Sequence, residues 1–252
     1  MLDLFTNILA SMRSVLLHVD KTIIRAERYA NHLLLTKEDG HIELTHLATH
    51  IYNSQLSWCK DVIASEKEIC LILNDNYNPI NLNQVSQINL GTKENNSKIF
   101  YIPFITNDSD DITKVLDTYS KSAMVRHIKS IDDISRLIKN TAFRIGMFGF
   151  MPGFFYLKGL NTDFHMPRKS IPAKRVEAGS IAIGGSYLGI YNRPSPGGWH
   201  VLAHTPIIIE INDVINNLQV GTRIKFTAIN QSYFNDLKSK NLTLTTYNKI
   251  NA

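Results

Sequence analysis

The sequence predicts an α+β protein in two parts, a small α+β unit over residues 1–96 and a mostly β unit over residues 97–252. Three observations predict it. Short apolar runs and helix-period stretches mix in the first part. A polar, turn-rich stretch, Gly91-Thr-Lys-Glu-Asn-Asn-Ser97, marks a boundary. Past residue 142, short apolar segments recur at close intervals between Gly184-Gly185, Gly197-Gly198 and Gly221, the rhythm of a barrel or sandwich rather than a parallel sheet.

In chain order, residues 1–10 lack a basic start, carry Asp3 and read as a short amphipathic helix rather than a signal peptide. Residues 14–19, 22–28 and 32–36 read as strands, with Asp39-Gly40 as a turn. Leu44, Leu47, Ala48, Ile51 and Tyr52 recur at helical spacing and form one apolar face. Residues 68–73 form a compact strand. Asn78 and Pro79 suit the cap and first turn of a second helix carrying Leu82, Val85 and Ile88, with Gly91 placed to end it. In the second part a strand is expected over 98–104, then a helix with Ile112, Val115, Leu116 and Tyr119. Ser130 and Asp133 stand in capping-box spacing ahead of Ile134, Leu137 and Ile138. Strands are expected over 142–148, 180–183, 188–191, 199–204, 207–211 and 223–228. A short helix and a polar end follow from Ser232.

Composition narrows the function classes. A 44% hydrophobic and 19% charged chain is globular, and the net charge of +5 is scattered without a Lys/Arg block, which argues against nucleic-acid binding. Cys59 and Cys70 show no metal-type spacing and fit reduced thiols. No apolar run approaches ~18 residues, so no membrane span is expected, and the chain reads as cytoplasmic.

The densest stretch is 146–206, where glycine, proline and aromatics alternate. Such segments build shaped loops between short strands, and aromatics at their edges line pockets or partner surfaces. Arg168, in Met-Pro-Arg, offers a planar fork that matches carboxylate or phosphate, with Lys174 and Arg175 adding charge nearby. His200 follows Gly197-Gly198-Trp199, and a histidine there can serve as general acid or base or as a structural hydrogen-bonding group. Strand alternation sets Trp199 and His200 on opposite faces. Ser180, in Ala-Gly-Ser at a strand start, reads as a turn hydroxyl, since no Gly-x-Ser-x-Gly elbow is present. No Gly-x-x-x-x-Gly-Lys phosphate loop occurs, and Gly184-Gly185-Ser186 reads as a hairpin turn. His46 and His50 are four apart on the first helix, a geometry that can hold zinc. The intervening glutamate of a metalloprotease helix is missing, and the pair lies opposite the apolar stripe, so they read as surface histidines without a metal.

The run Phe148-Gly-Phe-Met-Pro-Gly-Phe-Phe-Tyr156, with Pro167-Arg168, Ala178-Gly179-Ser180, Gly189-Ile-Tyr191, Ser195-Pro-Gly-Gly-Trp199 and Thr205-Pro206, resembles the 5-oxoprolinase B-subunit family. That family is also known as allophanate hydrolase subunit 1-like, or carboxyltransferase domain subdomain C/D. It includes an inhibitor of a sporulation histidine kinase. The resemblance implies a small α+β N-terminal domain followed by a cyclophilin-like β-barrel domain. It implies work with 5-oxoprolinase subunits A and C to open 5-oxo-L-proline to L-glutamate with ATP and Mg, bound by this chain or by a partner subunit, the chain being inactive alone. Two alternatives follow from it: a binding module that inhibits a sensor histidine kinase, and a subunit of a biotin-linked urea/allophanate carboxylase-hydrolase.

The resemblance points to Arg168 and His200 as catalytic candidates. Phe150, Pro152, Gly153, Phe154, Tyr156, Pro167, Arg175, Gly179, Ser180, Tyr191, Gly197, Gly198 and Trp199 are candidates for substrate or partner binding. Backbone N–H groups around Gly197 and Gly198 can receive an oxyanion. Phe150, Pro152, Phe154 and Phe155 are the expected docking surface. The chain departs from the family pattern at Ala173, Glu177, Asn192, Ala203 and His204, where an arginine, a proline, a proline, a glycine and an arginine are usual. Fewer arginines weaken anion binding.

Overall fold

The computed structural model describes residues 14–90 and 98–251. The chain divides into two compact units, Met1–Asn95 and Asn96–Ala252. The expected helix over 1–10 and the role of Gly91 lie outside the described residues.

In the first unit, β1 (Ser14–Val19), β2 (Thr22–Tyr29), β3 (His32–Asp39), β4 (Cys59–Ala64) and β5 (Glu68–Leu73) form an antiparallel sheet in the order β1-β2-β3-β5-β4. Alternation puts Ile24, Ala26, Leu33, Leu35, Ile69 and Leu71 on one buried face. Helix α1 (Leu44–Asn53) buries Leu44, Leu47, Ala48 and Ile51 in the same core. The Asn78 cap is present and opens a short 3-10 turn, Pro79–Asn81, ahead of α2 (Leu82–Ser86). Strand β4 is absent from the sequence reading. It is an edge strand of mostly exposed or half-buried residues, with a bulge between Cys59 and Asp61, so it lacks a clean period of two.

The second unit is built on a seven-stranded sheet. Its strands are β6 (Ile99–Phe104), β7 (Phe143–Phe148), β8 (Phe155–Lys158), β10 (Ser180–Gly184), β11 (Tyr187–Ile190), β13 (His200–His204) and β14 (Arg223–Ala228). The order is β13-β10-β11-β8-β7-β14-β6, with only the β14–β6 pair parallel. Just past β6, Ile105 exchanges two 2.9 Å backbone hydrogen bonds with His204 at the end of β13. This bridge joins the two edges of the sheet and nearly closes it into a barrel, as expected. Inward residues Ile102, Phe104, Phe143, Phe155, Leu157, Ile181, Ile183 and Leu202 fill it. A separate ribbon pairs β9 (Ala173–Val176) with β12 (Ser195–Gly197).

Helices α3 (Asp110–Ser120) and α4 (Ile131–Asn140) pack Ile112, Val115, Ile134 and Ile138 into that core. The Ser130–Asp133 capping box forms as read: Ser130 Oγ accepts from Asp133 N at 3.2 Å, and Asp133 Oδ2 accepts from Ser130 N at 3.0 Å. Ser130→Ala is expected to cost about 1 kcal/mol of stability, read as a lower urea midpoint with an unchanged slope.

Residues 207–211 correct the reading. They are not a strand. Ile208 makes a single bridge to Thr243, and Ile211 opens helix α5 (Ile211–Asn217) with Glu210 at its cap. Burial of Ile207 and Ile209 mimics strand alternation over too few residues to carry a ladder. The tail holds two helices, α6 (Gln231–Ser239) and α7 (Leu244–Ile250), where one was expected.

Candidate functional site

Two cavities open on the barrel unit near the end of β13. The first, about 330 Å³, is walled by Asp108, Ser109 and Asp111 at the start of α3, by Lys169, by Ala173, Arg175 and Glu177 around β9, and by Ser180 and His204. The second, about 460 Å³, shares Asn107, Glu177 and His204 with the first and adds Gly179, Asn192, Gln231 and Lys238. His204 and Glu177 stand between them.

The local folding that builds the first cavity is simple. Ser109 caps α3, accepting from Ile112 N, which fixes Asp111 in the first turn of the helix. Asp111 then gathers three groups. Its Oδ2 accepts from Lys169 Nζ at 2.6 Å and from the backbone N–H of Val201 at 2.9 Å. Its Oδ1 lies 3.7 Å from Nδ1 of His200, beyond hydrogen-bond range. Lys169 and Asp111 are each only 15% exposed, so the pair is little screened by water. Sequence reasoning missed both residues. Nothing local distinguishes Asp111 from Asp110, or Lys169 from Arg168, and the pair spans 58 positions.

His200 does not line either cavity. It is buried, with Nε2 3.2 Å from the Pro167 carbonyl. A carbonyl only accepts, so the neutral ring carries its proton on Nε2, leaving Nδ1 bare toward Asp111. Nδ1 makes no hydrogen bond. His204 is half-buried, its Nδ1 3.5 Å from the Oγ of Ser180, itself 1% exposed. Ser180 is thus a buried cavity-wall hydroxyl at the start of β10.

Both histidines are kept neutral. Burial pushes His200 below its ordinary 6.5 against the pull of Asp111; burial, then the Lys238 charge, lowers His204. With folded values depressed, the unfolded chain takes up these protons first as pH falls. The stabilisation is complete above about pH 6.5 and is lost progressively below it, down to the folded values. The urea midpoint is expected to drop between about pH 7.5 and about pH 5.5, and His204→Asn is expected to flatten that slope. An identical slope in the variant would remove His204 from the account.

Arg168 points elsewhere. It is exposed and lines neither cavity, and its charge is felt by the hydroxyls of Tyr156 and Tyr191. These tyrosines belong to an aromatic cluster on the outer side of the sheet, where Phe150, Phe154, Tyr156, Tyr187, Tyr191 and Trp199 meet edge-to-face at 5.1–6.0 Å. Trp199 lies against Gly184 and Gly189, and the Tyr191 hydroxyl against Gly197. As alternation required, Trp199 and His200 diverge. Pro167 and Gly198 join the two sides: Pro167 O receives His200, and Gly198 O accepts from Lys169 N at 2.7 Å. Arg175 is exposed and paired with Glu177 at 2.6 Å.

Of the expected docking residues, Phe154 and Phe155 are buried, whereas Phe150 and Pro152 are exposed at the β7–β8 tip. Gly153 at the same tip lies against Ile211 and Asn192. Of the family departures, Ala173, Glu177 and His204 line the first cavity; Asn192, Glu177 and His204 line the second, and Ala203 is core.

Comparison with known proteins agrees with this architecture. Residues 38–210 match the family described as carboxyltransferase domain, subdomain C and D. A Haemophilus influenzae protein named as the B subunit of 5-oxoprolinase is 36% identical over 102 residues, covering 40% of this chain and 48% of that protein. The protein of the same name from Bacillus subtilis is 30% identical over 113 residues, 44% of this chain and 47% of that one. The matched part therefore spans about half the length of these relatives. The crystal structure of TTHA0988 superposes with a TM-score of 0.64 at 22% identity over 79% of this chain and 40% of that one. Kluyveromyces lactis urea carboxylase superposes with 0.61 at 13% identity over 92% of this chain and 24% of that one. These likenesses establish the fold. The resemblance read from the 146–206 motifs holds at family level, and the chain belongs to the carboxyltransferase domain, subdomain C and D, family.

Proposed function

We propose that this chain is the B subunit of an ATP-dependent 5-oxoprolinase, which opens 5-oxo-L-proline to L-glutamate together with subunits A and C. The names of the relatives support the complex. The observation that carries the site is Lys169, a little-exposed ammonium held by Asp111 in the wall of a 330 Å³ cavity beside Ser180 and His204. That volume suits a five-membered lactam. The Lys169 ammonium receives the substrate carboxylate. The γ-phosphoryl group of ATP passes to the lactam oxygen and ADP leaves; one water adds to the activated carbon, the ring C–N bond breaks as neutral His204 relays a proton to the leaving nitrogen, and a second water releases inorganic phosphate from the acyl phosphate so formed.

ATP fits this chain poorly. In the first cavity Lys169 and Arg175 are already paired with Asp111 and Glu177, so little positive charge is left over for a polyphosphate, and the sequence holds no phosphate loop. In this reading ATP and Mg bind a partner subunit and supply the energy for lactam opening.

The test is 5-oxoproline-dependent ATP hydrolysis by the cognate A and C subunits, with and without this chain. Turnover that needs the chain is expected; turnover indifferent to it overturns the reading. One observation favours a second reading, a docking module for a kinase. Phe150, Ile211 and Ile215 are exposed on the barrel unit, at 57%, 37% and 70%. A chain that leaves ATP hydrolysis unchanged and lowers histidine-kinase autophosphorylation would establish that reading instead.

A further inference from the structure

Helix α1 carries a feature that the proposed reaction does not use. His46 and His50 are one turn apart, and both are half-buried. Their Nε2 atoms stand 3.2 Å from each other, closer than the ring centroids at 4.7 Å, so the two nitrogens face one another. A hydrogen bond at that distance needs a proton on one ring and a lone pair on the other. A metal ion takes the place of that proton. Two imidazoles bound to one ion at 2.0–2.1 Å with a tetrahedral angle hold their nitrogens about 3.3–3.4 Å apart. The observed spacing is within a few tenths of an ångström of that bite before any ion binds.

The charge around the helix start favours a cation. Glu43 caps α1 one turn ahead of His46. Glu66 lies near enough to Glu43 that burial, and then the Glu43 charge, hold its carboxyl above the ordinary range. Negative charge beside the start of α1 favours a nearby positive ion. Among the described residues no three His, Cys, Asp or Glu side chains converge, so the protein offers two ligands and water completes the shell.

We infer that His46 and His50 form a two-histidine clamp for a late first-row divalent metal such as Zn2+ or Ni2+ on the first unit of the chain. Imidazole ligands suit these ions, whereas Mg2+ and Ca2+ prefer oxygen. The clamp cross-links successive turns of α1, and ion binding stabilises the folded helix by mass action.

The experiment is calorimetric titration of the full chain with ZnCl2 and with NiCl2. Wild-type chain is expected to bind one ion per chain through these residues. His46→Ala and His50→Ala are each expected to weaken binding at least ~10-fold, the smallest loss seen even for partners outside the coordination shell. Alanine is the best helix former, so both variants keep α1 folded, which circular dichroism checks. His165→Ala, in the other unit, is expected to leave binding unchanged. No binding by the wild-type chain at ~0.1 mM metal, or binding that survives His50→Ala, overturns the inference. So does an equal loss in His165→Ala, which would mean diffuse binding to many histidines.

Discussion

Asp111→Ala is expected to destabilise the barrel unit by about 3–5 kcal/mol and to abolish any activity of the first cavity. The size follows from what is left behind. The substitution strands a Lys169 ammonium that is 15% exposed, removes the acceptor of Val201 N–H, and takes one of the two acids, Asp110 and Asp111, from the first turn of α3. Removing one member of a buried pair costs far more than the pair contributes, because the partner keeps its desolvation penalty. Lys169→Met separates the effects. It keeps an apolar stem and leaves Asp111 its bond from Val201, so it should destabilise less than Asp111→Ala. Under the proposed function it should still remove 5-oxoproline-dependent turnover. The double variant should be more stable than the sum of the singles predicts, since both charges then leave together. A double-mutant cycle by urea titration checks this, and strict additivity would mean that the two groups do not interact.

The second large effect is expected at Gly189. A Cβ there would stand 2.5 Å from Cζ of Phe154 and 3.0 Å from Cζ3 of Trp199. Strand β11 lies inside the sheet, between β10 and β8, so its backbone has little freedom to move away. Gly189→Val must therefore displace one or both rings from the cluster, a loss of about 3–5 kcal/mol by analogy with deleting a buried aromatic. In a Trp58→Phe background Trp199 is the one remaining tryptophan, and its emission should shift to the red on expulsion. Gly185 provides the contrast. A Cβ there meets nothing closer than 4.0 Å, but the backbone sits at φ +63°, so Gly185→Ala costs only about 1 kcal/mol of conformational strain. A Gly189→Val variant as stable as Gly185→Ala would show that the cluster repacks freely.

Much of this was legible in the chain because it depends on near neighbours. The Ser130–Asp133 capping box lies within one helical turn, so its two hydrogen bonds follow from spacing alone. The apolar face of α1 and the strands of the first unit follow from period, and the β10–β11 turn from Gly184-Gly185. The opposite facing of Trp199 and His200 follows from strand alternation. The motifs of 146–206 identified the family. Strand β4 stayed hidden because an exposed, bulged edge strand has no apolar period to read. Residues 207–211 misled because two buried isoleucines alternate without a neighbouring strand to pair with.

What only the tertiary structure decided is which charges meet. Sequence favoured Arg168 for its Met-Pro-Arg context, yet the fold leaves Arg168 exposed, its charge reaching Tyr156 and Tyr191, and turns its neighbour Lys169 onto Asp111. The Lys169–Asp111 contact spans 58 positions and the Asp111–Val201 contact 90. Ser180 and His204 meet because β10 and β13 pair, and Ile105 with His204 because the sheet curls until its edges touch. Caps, turns and amphipathic faces are set by residues a few positions apart, where the backbone itself fixes the geometry. A cavity wall is set by which strands become neighbours, and that choice belongs to the packing of the whole barrel core.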